Sequence, residues 1–129
     1  MRAIETTVAM SMDAADAAVR DVLAEEGFGV LTEIDVAATL RAKLGVEREP
    51  LRILGACNPN LAHEALARDP TVALVLPCNV VLASTPEGTH VAAVDPEELM
   101  GDDRFADLAQ DAKRRLRRAI ARLDAVHPA

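Results

Sequence analysis

Hydrophobic and polar residues alternate from Arg2 to Met10, with Ile4, Thr6, Val8 and Met10 on one side and Ala3, Glu5, Thr7 and Ala9 on the other, the period of a half-buried strand. The period then changes. Ala15, Ala18, Val19, Val22 and Leu23 recur at helical spacing behind a cap at Ser11 or Asp13, and Gly27 supplies the left-handed residue that ends such a helix. Residues 28–34 predict a second strand. Asp35 caps a short helix in which Val36, Leu40 and Leu44 share a face, and Gly45 stops it. Residues 51–57 are mostly apolar, too hydrophobic for a strand exposed on both faces, which predicts a central strand.

Asn58 as N-cap and Pro59 at the first helical position open the next helix, because asparagine satisfies an orphan N–H while proline lacks one where none is needed. Leu61, Ala62, Ala65 and Leu66 form its core face, and Asp69-Pro70 terminates it. Residues 71–76, interrupted by Pro77, predict an extended approach to a strand over 78–84. A turn at Thr85-Pro86-Glu87-Gly88 leads to a return strand over 89–94. Asp95-Pro96-Glu97-Glu98 starts a short helix ending near Gly101. A last long helix then runs from about 102 to 126, with a stripe of Phe105, Leu108, Ala112, Leu116, Ala119, Ile120 and Leu123. The order β-α-β-β-β-β-α, with short helices either side of the third strand, predicts an α+β fold with a five-stranded antiparallel sheet covered on one face by helices. The other face has Val, Leu and Ala to hide, so burial against a second copy predicts a homodimer.

All 129 residues read as one domain, with no linker, repeat or low-complexity stretch. No apolar run approaches the roughly 20 residues needed to span a bilayer, so no membrane partner is expected. Met1-Arg2-Ala3-Ile4-Glu5 lacks the apolar stretch of a secretory start, which makes the cytoplasm the expected compartment. There, two cysteines are thiols, redox-active or metal-binding, rather than a structural disulfide. The net charge of −7, with two Phe and no Tyr or Trp, argues against nucleic acid, which demands positive surface and stacking platforms. Lys113-Arg114-Arg115-Leu116-Arg117-Arg118 is a basic exception. Acids precede it on the same helix, so it reads as a solvated face with an anion or partner patch as the alternative.

The cysteine settings, Ala56-Cys57-Asn58-Pro59 and Leu76-Pro77-Cys78-Asn79, partly mirror one another. A thiol at a strand end just before a helix N-terminus lies where amide groups and the helix dipole favour thiolate, and Cys57 fits that description. If strand pairing brings Cys57 and Cys78 together, they form a paired site able to bind a soft metal or a small-molecule ligand or to change oxidation state. The competing reading is two buried thiols packing as small hydrophobes. His63, in the first turns of the helix after Asn58, is a third metal ligand or a base, or else a half-exposed helix histidine beside Glu64. Asn58 and Asn79 could donate amides to a ligand carbonyl or oxyanion, although capping and turn-making also explain them. His90 and His127 show no ligand spacing, and no Cys-x-x-Cys or His-x-x-x-His marks a closed zinc site. No Ser/His/Asp set, Walker loop or dinucleotide motif is present.

Three ordered motifs, residues 27–36 (GFGVLTEIDV), 53–59 (ILGACNP) and 76–80 (LPCNV), resemble the bacterial and archaeal family catalogued as domain of unknown function 302. The resemblance extends from the first strand to the Asp95-Pro96 turn. It implies a fold like a single copy of the TATA-binding-protein half and a dimeric assembly. It brings no established activity, cofactor or catalytic residue, and likeness to a DNA binder does not confer DNA binding. Three functions follow: a ligand-, soft-metal- or redox-responsive binding module using the paired cysteines; a thiol or sulfur-chemistry enzyme with Cys57 as nucleophile; and a structural interaction protein with inert thiols.

Overall fold

In the computed structural model, which describes residues 1–124, five antiparallel strands form one sheet. They are β1 (Ala3–Val8), β2 (Gly29–Asp35), β3 (Leu51–Cys57), β4 (Cys78–Thr85) and β5 (Gly88–Val94), in the spatial order β1-β5-β4-β3-β2. Five helices accompany them: α1 (Met12–Glu25), α2 (Val36–Leu44), α3 (Pro59–Arg68), α4 (Pro96–Leu99) and α5 (Ala106–Asp124). The fold is α+β, as the alternating periods indicate.

Local chemistry sets the boundaries. Ser11, Asp35, Asn58 and Asp95 each accept an N–H of the first helical turn through the side chain. Gly27 and Gly45 follow α1 and α2 with φ of 84° and 67°, the left-handed backbone that glycine adopts without Cβ strain.

Three details depart from the sequence reading. The middle strand is β4, since the β4–β5 hairpin and then β1 extend the sheet beyond it; β3 lies one place off centre, with β2 outside it. Residues Pro70–Val75 form a 3₁₀ helix instead of an extended approach. There the Asp69 carboxylate accepts from both the N–H and the hydroxyl of Thr71, at 3.0 and 2.8 Å, and proline supplies a helical φ, so the chain turns again at once. The last helix is preceded by a separate 3₁₀ turn, Asp103–Phe105, capped by Asp102. Its expected end at Val126, like His127, lies outside the described residues.

Strand register sorts the side chains into two faces. One inner row reads Glu33, Leu54, Val80, Ala93, Ile4 across all five strands, and the next Asp35, Arg52, Leu82, Val91, Thr6. Helices α1 and α5 pack over these rows, where Leu23, Leu54, Leu82, Leu116 and Leu123 are completely buried. A second cluster of Ala65, Val72, Phe105 and Leu108 joins α3, the Pro70–Val75 turn and the start of α5. The outer rows read Ile34, Ile53, Val81, Ala92, Glu5 and Leu51, Ala83, His90, Thr7. None of these outer residues is buried.

Candidate functional site

Two hollows open at the end of the sheet where β4 begins, one on each side of it. The first belongs to the cysteines. Ala56 pairs with Cys78 across β3 and β4, so Cys57 lies one residue beyond the position opposite Cys78 on the neighbouring strand. Both line a cavity of ≈ 30 Å³, together with Phe28, Asn58, Leu61 and Ala112. That space holds roughly one or two water molecules and no larger guest.

Burial weighs against the thiolate form at both cysteines. Cys78 is 6% exposed, and burial, with the neighbouring Cys57 adding to it, pushes its pKa up to about 11. Burial also raises the Cys57 thiol above its ordinary 9.0. At Cys57 burial therefore works against the thiolate that the α3 N-terminus favours.

Asn58 is buried and hydrogen-bonded through both its amide oxygen and its amide nitrogen. Its Oδ1 accepts the Leu61 N–H at 3.2 Å, capping α3, while its Nδ2 donates to the Glu26 carbonyl at 3.4 Å. That carbonyl also accepts from Arg115 at 3.3 Å. The Glu26 carboxylate, itself 5% exposed, binds Arg118 at 2.9 Å and Arg122 at 2.8 Å. Burial works to raise the Glu26 pKa, but hydrogen bonds and charge from Arg118 and Arg122 outweigh it and hold the carboxyl below its usual range. This network ties the end of α1 to the start of α3 and to α5, with Asn58 serving it as both cap and tie.

His63 is exposed and does not line the cavity, so the structure does not bring it to the thiols. Among the described residues no group of three or more His, Cys, Asp or Glu side chains converges as a metal site. Asn79 pairs with Gly55, one residue on from Cys78, and strand alternation turns it to the opposite face. It is exposed there and does not line the thiol cavity.

Asn79 belongs to the second hollow, a groove of ≈ 560 Å³ on the uncovered face. Ala3, Val81, Ala92 and Val94 form its floor, and Leu74 and Val75 from the 3₁₀ turn, Leu76 and Pro77 after it, and Leu99 of α4 contribute its walls. Arg2 and Asn79 are its polar residues. The Arg2 guanidinium is held by Glu98, with Nε to Oε1 at 3.0 Å. Gly55 shows how closely the wall approaches: a Cβ there would collide with the Thr32 hydroxyl and with Pro77. Leu76 borders both hollows and partitions them. Leu74, 87% exposed, stands at the rim. Sequence reasoning missed this groove because an extended reading of residues 71–76 supplies no wall; the Asp69-Pro70-Thr71 capping pattern was the available signal.

The family profile described as "Domain of unknown function DUF302" matches residues 4–123. A solved structure, the uncharacterized conserved protein DUF302 from Bacillus stearothermophilus, is 28% identical and superposes with a TM-score of 0.86, covering 95% of this chain and 98% of that one. No curated protein matches the chain. No described helix is long and apolar enough to cross a membrane.

Proposed function

The chain belongs to the DUF302 family, which is defined by sequence and not by a reaction, and from the geometry we propose a non-catalytic binding module that takes a small apolar molecule in the open-face groove and works as a homodimer. One observation carries the reading: the volume large enough for a ligand lies against the uncovered sheet face, ≈ 560 Å³ against ≈ 30 Å³ at the thiols. Small-molecule sites span about 300–1,000 Å³ and are lined mainly by apolar side chains with a few polar groups, the composition found here. The same face supports pairing. Five strands about 4.8 Å apart and some seven residues long present roughly 550 Å² per copy. Two copies face to face hide about 1,100 Å², above the roughly 1,000 Å² of a specific interface. A second copy laid over the Ile53–Val81–Ala92 row would also give the groove its missing roof.

The test is a titration with a neutral apolar solvatochromic dye alongside a measurement of hydrodynamic mass. Wild-type protein is expected to be dimeric and to bind the dye. Val81→Arg, which sets an unpaired charge on the groove floor, is expected to weaken the dye by about 100-fold and yield monomer, since an uncompensated charge in an apolar site costs several kcal/mol. A monomeric wild type that ignores the dye refutes the proposal.

A second reading, a redox-responsive thiol pair, is favoured by the placement of both cysteines on one cavity. Oxidation by a peroxide would join the sulfurs, lose two thiol protons and reduce the peroxide to water. Titration of free thiols after peroxide treatment checks it: loss of both in step with an intramolecular crosslink supports the reading, and retention of both removes it.

A further inference from the structure

The outer face of α5, on the side of the sheet away from the groove, concentrates positive charge, not all of which the fold uses. Residues 104–129 carry seven basic and three acidic residues, a local +4, whereas residues 1–103 carry seven basic and eighteen acidic, −11, giving the overall −7. Lys113, Arg114, Arg117 and Arg118 border a concavity of ≈ 460 Å³ with Gln110 and one carboxylate, Glu97. Most of these cations have internal duties. Lys113 reaches the buried Asp95 at 2.9 Å and Glu97 at 3.5 Å; Arg114 reaches Asp111 at 2.6 Å; Arg118 holds Glu26. Arg117 makes no hydrogen bond or ion pair among the described residues. It lies three residues from Arg114 and four from Lys113, and Arg114 lies four from Arg118, spacings at which like charges disfavour a helix. Packing explains the inward stripe of Leu116, Ala119 and Leu123 but gives no reason for a cation at 117.

We propose that this concavity binds a small anion bearing phosphate groups, with the Arg117 guanidinium as the free ligand and Arg114 and Arg118 completing the fork. Planar guanidinium groups pair phosphate oxygens two at a time, which favours this class over a simple monovalent anion. The volume admits a molecule of nucleotide size. The surrounding −11 repels long polyanions, and no apolar side chain among the lining residues would enter a membrane, so the occupant is a small molecule.

Inorganic pyrophosphate is the probe, titrated into the full chain at low salt while arginine side-chain signals are followed by NMR. Shifts are expected at Arg114, Arg117 and Arg118, with affinity falling about tenfold in Arg117→Gln and further when Arg114→Gln is added. The thermal midpoint of Arg117→Gln should not move, because the side chain has no partner to lose. Arg41→Gln, an exposed cation on α2, should leave the affinity unchanged. No pyrophosphate-dependent shifts, equal loss in Arg41→Gln and Arg117→Gln, or binding of polyglutamate without binding of pyrophosphate would each overturn the assignment.

Discussion

The cysteine cavity and the open-face groove share Leu76 as a common wall, yet they are opposite kinds of place. One holds the chain's most reactive side chains in almost no space, closed beneath α3 and α5. The other offers nearly twenty times the volume, lined by residues with almost no chemistry. Reactivity and room have been separated by the thickness of one sheet. Residue type marks where a reaction is conceivable, but a bound molecule needs volume, and volume follows from which sheet face the helices leave bare.

Breaking the comparison on its closed side should affect stability rather than binding. Cys78→Ser places a hydroxyl among Phe28, Leu61 and Ala112 and is expected to cost about 1–3 kcal/mol of unfolding free energy while dye affinity stays within twofold. Loss of dye binding at unchanged stability would show that the two hollows act as one site. A smaller effect is expected at the edge of the cavity: Asn58→Ala removes the α3 cap and the bond to the Glu26 carbonyl, worth about 1–2 kcal/mol by chemical denaturation. The thiols of Asn58→Ala should then alkylate faster, because Asn58 lines their cavity.

The Glu26 network sharpens the same contrast through pH. Folding lowers the Glu26 pKa, so near its ordinary 4.5 the unfolded chain binds more protons than the folded one. The stabilisation is complete above about pH 5.5 and is lost as pH falls through 4.5 and on through the lower folded value. Glu26→Gln should flatten that acid-side slope and leave dye binding at neutral pH unchanged. A slope that persists undiminished would assign acid sensitivity to other carboxylates, such as Asp16 with Arg20 and Arg52.

Much of the architecture was legible in local patterns. The limits of β3 and the caps at Asn58, Asp35 and Asp95 follow from single side chains and their neighbours, and the structure places them where the pattern does. The position of β4 at the centre was not, because periodicity gives strands without saying which lie side by side. The thiols show the same limit. Asn58-Pro59 correctly announces a helix start beside Cys57, but the burial that raises its pKa comes from residues such as Phe28 and Leu61, which only the fold brings together. Asn79 and Cys78 are adjacent in the chain and on opposite faces of the sheet, a separation the pleat imposes once the strand is recognised.

Dye titration of two variants in parallel tests the central claim most directly, one altered in each hollow. The account predicts that Val81→Arg weakens dye binding by about 100-fold and that the double substitution Cys57→Ala with Cys78→Ala retains it. Binding that survives Val81→Arg and disappears with the thiols would contradict the account and return the site to the cysteines.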